Sequence, residues 1–156
     1  MRTIQVKKGE ILQRHGDLNS KVYIVESGLL RSYSIDDKGK EHIFMFGPEG
    51  WIVADSTDEK LPSELFIDAL EDSVVQVLDK DTPVPIVDHK PLLKRIAVLQ
   101  KRILMLMSSS AIERYQHFVE TYPNIIQRVP QKMVASYLGI TPEALSKVKG
   151  DQSRRK

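Results

Sequence analysis

The apolar residues of this chain change period once, near Asp81, and that change dictates which layers the chain can build and in what order. Before it, short runs rich in β-branched and apolar residues recur roughly every eight to twelve positions, the spacing of strands in sandwiches and barrels. They cover residues 10–12 (EIL), 21–26 (KVYIVE), 29–35 (LLRSYSI), 42–46 (HIFMF), 51–54 (WIVA), 65–70 (LFIDAL) and 73–78 (SVVQVL). Turn signals separate them, notably Gly28 and the segment Asp36-Asp37-Lys38-Gly39, whose residue types tolerate positive φ. Many short strands of this kind predict a β-sandwich or jelly-roll-like barrel.

After residue 81 the chain reads as helix. Two prolines lie within residues 82–85, and Pro91 suits the first turn of a long helix. Leu92, Ile96, Leu99, Ile103 and Leu106 follow at alternating spacings of four and three, a heptad seam, with Lys94, Arg95, Lys101 and Arg102 off it. Leu93, Leu104, Met105 and Met107 widen the stripe, so one side is expected to pack on the barrel and the other to meet a partner helix. The plainer alternative is an ordinary core helix. Residues 111–121 form a second helix, with Ile112, Tyr115, Phe118 and Val119 on one face, ending before Pro123.

Residues 131–150, QKMVASYLGITPEALSKVKG, fit a helix-turn-helix. A small residue, Ala135, stands where the second helix would cross the first, and Gly139 allows positive φ at the turn. Val134, Leu138, Ile140, Leu145 and Val148 supply the apolar lock. Thr141 is a suitable N-cap, Pro142 a suitable first helical residue, and Gly150 a candidate terminator of the second helix. An arbitrary amphipathic helix pair would meet the apolar pattern, but less often the small residue, the glycine and the Thr-Pro start together.

Charge agrees with a DNA-reading unit. The net charge of the 156 residues is only +2, yet residues 128–156 carry seven basic residues (Arg128, Lys132, Lys147, Lys149, Arg154, Arg155, Lys156) against Glu143 and Asp151. Segregated positive charge suits a phosphate-binding face, although a solvated basic tail has the same composition. With 41% hydrophobic and 28% charged residues the chain is ordinary globular protein. It contains no cysteine, which excludes disulfides, cysteine-ligated zinc and an iron–sulfur cluster among these residues. His15, His42, His89 and His117 stand apart in the sequence, which favours structural roles over haem ligation, and no metal site is expected. No run is long enough to span a bilayer and the N-terminus lacks a signal-peptide core, so a cytoplasmic protein without membrane contact is expected. There is no Gly-rich phosphate loop, HExxH or Gly-x-Ser-x-Gly, and pairs such as Asp36-Asp37 and Glu71-Asp72 read as turn acids. No catalytic residues, and no enzyme, are expected.

Five segments in this order resemble the Crp/Fnr superfamily of bacterial transcription regulators: KKGEILQRHGD (7–17), YIVESGLLRSY (23–33), DDKGKEHIFMFGPEGWI (36–52), ALEDSVV (69–75) and RVPQKMVASYLGITPEALSKVK (128–149). The resemblance covers almost the entire chain. It implies an α+β architecture: a β-barrel or jelly roll of the cyclic nucleotide-binding type over 1–90, a dimerisation helix over 91–110 seamed by Leu92, Ile96, Leu99, Ile103 and Leu106, and an all-α helix-turn-helix domain over 111–156. It further implies a homodimer on double-stranded DNA with an inverted repeat, and RNA polymerase as a partner. Matched at the Gly139 turn, the groove-facing positions are Thr141, Pro142, Glu143, Ser146 and Lys147, while Arg128, Gln131, Lys132 and Lys149 are placed for phosphate. Pro142 stands where many relatives carry a guanine-gripping arginine, so the operator is expected to differ from theirs.

The chain also departs from the family at the effector. Members that bind cyclic nucleotides use a Gly-Glu pair and a downstream arginine; the matching stretch here is Ala54-Asp55-Ser56, with Ser63 and Glu64 where the arginine should fall. Asp55 can accept a ribose hydroxyl, but a buried phosphate beside Glu64 has no nearby cation in the sequence. Residues 90–107 contain no serine or threonine to meet a purine, and the segment 56–62 is short. Cyclic AMP is therefore not expected to bind in the usual way, no cofactor is expected, and any effector is an unidentified small molecule. Against the family, the N-terminal helix is expected to be missing or minimal, with little chain after Lys149 to build a wing. The other reading, from a different class, is a small-molecule sensor whose helix-turn-helix no longer serves DNA.

Overall fold

The computed structural model describes residues 2–58, 60–80 and 90–153; the prolines of residues 82–85, His89, Arg154, Arg155 and Lys156 lie outside them. The chain divides into two compact units, Met1–Arg95 and Ile96–Lys156.

The first unit holds eight antiparallel strands: β1 (Arg2–Val6), β2 (Ile11–Gln13), β3 (Lys21–Ser27), β4 (Leu30–Ile35), β5 (Glu41–Gly47), β6 (Ile52–Ala54), β7 (Phe66–Ala69) and β8 (Ser73–Asp79). They form two four-stranded sheets in the orders β1-β8-β3-β6 and β2-β7-β4-β5. The result is a jelly-roll sandwich rather than a closed barrel, because β6 and β5, the end strands of the two sheets, do not pair with β2 or β1 among the described residues. Alternation places Val6, Tyr23, Val25, Leu30, Val53, Ile67, Ala69, Val75 and Val77 in one core between the sheets. Strand β1 lies outside the runs expected from the sequence, although its RTIQV alternates; it pairs along its full length with β8, from Arg2↔Val77 to Val6↔Ser73.

Two features explain why these strands hold their register. Gly28 turns β3 into β4 at φ +91°, and an added Cβ would lie 2.3 Å from Ser73 Oγ, so only glycine fits. On β4, Arg31 is 7% exposed and makes a bidentate pair with Asp68 of β7, Nε to Oδ1 at 2.8 Å and Nη2 to Oδ2 at 2.9 Å. Its guanidinium also reaches Glu41 of β5 and lies 4.0 Å from the Tyr33 ring centroid, so one side chain ties three strands together.

The second unit is helical. Helix α1 (Lys90–Ser108) enters it from the first, followed by α2 (Ala111–Thr121), a 3₁₀ turn at Ile125–Gln127, α3 (Gln131–Leu138) and α4 (Pro142–Ser153). A capping box starts α2: Glu113 N–H donates to Ser110 Oγ, and Ser110 N–H donates to Glu113 Oε2 at 2.7 Å. The core joins Phe118, Tyr122 and Tyr137, with centroids 5.4–5.6 Å apart, to Ile125, Val134, Leu138 and Leu145. Two expectations need correction. Gly150 does not end α4, which continues to Ser153; Gly150 lacks positive φ, and glycine permits a terminator without enforcing one. The widened stripe of α1 also stays largely open, with Leu93, Leu104 and Met107 exposed by 62%, 57% and 78%, and only Met105 buried.

Candidate functional site

The turn between α3 and α4 is built as the sequence requires. Gly139 sits at φ +63°, ψ +34°, and Ile140 N–H closes the helix end by donating to Ala135 O at 3.1 Å. Thr141 Oγ1 accepts from Ala144 N–H at 3.2 Å, and its carbonyl accepts from Leu145 N–H at 3.0 Å, so Thr141 is the N-cap and Pro142 the first helical residue. Ala135, Val134, Leu138, Leu145 and Val148 are buried where the helices meet, with Ile140 half-buried.

Burial of Leu145 and Val148 forces the opposite face of α4 outward. Thr141, Pro142, Glu143, Ser146 and Lys147 are all exposed, and the last three share one face at helical spacing. Hydrogen bonds from the backbone amide of Glu143 itself and from the Thr141 hydroxyl hold the Glu143 carboxyl below the usual carboxylate range, leaving it an ionised acceptor. Lys147 supplies a cation and Ser146 a hydroxyl beside it, a combination able to address base edges and phosphates. Gln131 and Lys132 are exposed at the start of α3, whereas Arg128 and Lys149 are half-buried.

Sequence reasoning overlooked two arginines behind this turn. Arg114 of α2 donates from Nε to Ser109 O at 3.0 Å, from Nη1 to Leu138 O at 3.1 Å and from Nη2 to Leu106 O at 3.2 Å. Arg102 of α1 donates from Nη2 to Tyr137 O at 3.2 Å, its guanidinium 4.1 Å from the Tyr137 ring centroid. Both carry positive charge to the carbonyl end of α3, where the helix dipole favours it. Nothing in a single sequence marks such residues, because their partners are backbone atoms.

The five residues matched to the nucleotide cassette gather at the β6–β7 connection, but chiefly hold it together. Asp55 is 3% exposed, and its carboxylate accepts from Thr57 N and Oγ1, both at 2.9 Å, from Glu64 N at 2.7 Å and from Leu65 N at 2.8 Å. Burial raises its pKa, yet the hydrogen bonds from Thr57, Leu65 and Glu64 outweigh burial and hold it below the ordinary carboxylate value. Ser63 is buried and donates to Arg14 O at 2.6 Å, Ala54 is buried, and Ser56 and Glu64 are exposed. The cation missing from the local sequence arrives from α1: Arg95 Nη2 donates to Ala54 O at 2.6 Å, and its charge interacts with Asp55. A separate cavity of about 250 Å³, with Ile4, Leu12, Gln13, Tyr23 and Val77 in its wall, includes none of the five. No cluster of three or more His, Asp or Glu fit to hold a metal occurs among the described residues.

A jelly roll leading through a helix into a helix-turn-helix defines a class of two-part regulator folds. The chain belongs to the cyclic nucleotide-binding domain family, which matches residues 3–86, and its curated relatives are bacterial regulatory proteins. It is 28% identical to the fumarate and nitrate reduction regulatory protein of Yersinia pestis, over 93% of this chain and 66% of that protein. Identity to the anaerobic regulatory protein of Haemophilus influenzae is 25%, over 93% and 64% respectively. The chain thus spans just under two thirds of the length of these curated relatives. Among solved structures, FixK2 from Bradyrhizobium japonicum matches with a TM-score of 0.78 at 19% identity, covering 99% of this chain and 85% of that one. A CRP/FNR-family transcriptional regulator from Thermus thermophilus matches at 0.76 and 18%, covering 99% and 87%. At these identities the structural matches establish the fold. The curated relatives are regulatory proteins, not enzymes, and no helix among the described residues is long and apolar enough to cross a membrane.

Proposed function

We propose that the chain is a homodimeric, sequence-specific DNA-binding regulator whose α4 reads the major groove of an inverted repeat. The observation that carries this reading is the exposure of Thr141, Pro142, Glu143, Ser146 and Lys147 beside a correctly formed turn at Gly139. In this reading residues 1–90 sense, 91–110 dimerise and 111–156 bind DNA, with Arg128, Gln131, Lys132 and Lys149 addressing phosphates. The exposed seam of α1, with Leu92, Ile96, Ile103 and Leu106 at 39–59% exposure and Leu99 half-buried, is the surface that pairs with a second copy. The protein acts in the cytoplasm and meets RNA polymerase on DNA. Neither Ser63 nor Glu64 is basic, Arg95 is engaged with Ala54 O, and Asp55 is engaged by its own loop. The effector is accordingly a small molecule other than cyclic AMP held in the usual mode, and no further cofactor is required.

The test is selection of bound fragments from a genomic library, followed by competition with random duplex at several salt concentrations. Enrichment of an inverted repeat with half-sites about one helical turn apart, and affinity falling steeply with salt, is the expected result. Equal binding to any duplex would remove specific regulation from consideration.

A further inference from the structure

We propose that Arg114 is the positioning residue that fixes the angle of α4 to the last turn of α1, and so fixes the half-site spacing a dimer accepts. The proposal rests on the DNA-binding reading above. Its basis is that the three carbonyls held by one guanidinium belong to three different segments. Leu106 lies in the last turn of α1, Ser109 in the connection to α2, and Leu138 at the end of α3. Separate donors could satisfy each carbonyl and leave the segments free to move. A planar guanidinium presents its N–H groups in fixed directions, so satisfying all three fixes their mutual orientation.

The turn packs on the same group. A Cβ built on Gly139 would lie 3.3 Å from Leu106 Cδ2 and 3.5 Å from Arg114 Nη1, so the left-handed residue that redirects the chain into α4 rests on the end of α1 and on the clamp. Arg102 holds the adjacent carbonyl, that of Tyr137, from one turn earlier in α1. If α1 pairs with its twin, the angle at this junction sets the direction of each head. One base pair of spacing rotates a half-site by roughly a tenth of a turn, so a loosened angle blurs spacing before it weakens the contacts within one half-site.

The experiment uses the full chain and its Arg114→Ala and Arg114→Lys variants on three DNAs: the selected inverted repeat, the repeat with spacing altered by one base pair, and an isolated half-site. Arg114→Ala should lose about tenfold or more on the intact repeat, hold half-site affinity within about threefold, and accept altered spacing. Arg114→Lys should recover part of the loss, since one ammonium cannot span the three carbonyls in the same geometry. Backbone amide exchange at Gly139 and Ile140 supplies a readout that needs no DNA, and should accelerate about tenfold in Arg114→Ala. Unchanged spacing preference, or losses equal on repeat and half-site that track a fall in Tm, would overturn the positioning role. If the wild-type chain bound no duplex, the DNA reading would fail; unchanged exchange would then overturn the clamp itself, and accelerated exchange would uphold it.

Discussion

At the scale of single residues, the structure gives Asp55 a task different from the one its place in the cassette suggests. Four donors converge on its carboxylate, and three of them are backbone amides. Asp55→Asn would turn an N–H group toward one of those donors, and should destabilise the fold by about 2–3 kcal/mol in urea unfolding. The pH dependence follows from the same bonds. The folded pKa lies below the unfolded value of about 3.9, so the stabilisation is complete above that value and is lost as pH falls through the depressed folded pKa. The acid limb of the stability profile should therefore flatten in Asp55→Asn. Lys147 is the corresponding residue on the second unit. Its exposure leaves little for the fold to lose, and Lys147→Ala should keep Tm while weakening or relaxing DNA recognition by about 1–3 kcal/mol if it reads a base, measured by fluorescence anisotropy.

At the scale of elements, legibility followed the locality of the cause. The α3–α4 turn was readable because a glycine, a Thr-Pro pair and a small crossing residue act within ten residues of one another. Gly139→Ala tests that turn: the αL conformation and the close Leu106 and Arg114 contacts should together cost about 1–2 kcal/mol or more in thermal unfolding. Most strands were legible for the same reason, each being a short apolar run between turn residues. Strand β1 was not, because RTIQV is weakly apolar and becomes a strand through β8, some seventy residues away. Extension of α4 through Gly150 is the converse case. A residue able to terminate a helix was present, and the chain continued helical past it.

At the scale of the molecule, the apolar stripes of α1 are largely exposed, and the proposed pairing with a second copy would cover the seam. Ile103, 59% exposed on the seam, offers a clean test: Ile103→Glu should leave Tm nearly unchanged while sedimentation shifts from dimer to monomer. Loss of bivalent engagement should then reduce affinity for an inverted repeat by about a hundredfold or more, with half-site affinity retained. An unchanged sedimentation coefficient would place the interface elsewhere.

Periodicity and turn chemistry alone determined most of the order of strands and helices and the place of the helix-turn-helix, because these depend on neighbours in sequence. Tertiary structure decided what the cassette and turn residues do. Asp55 proved to be committed to its own loop, and the cation beside it came from Arg95 of α1. Arg114, silent in the sequence, joined the ends of α1 and α3. The physical reason is common to all three: a side chain bonded to backbone carbonyls or amides leaves no pattern in residue types, since every residue presents the same carbonyl and every residue but proline the same amide.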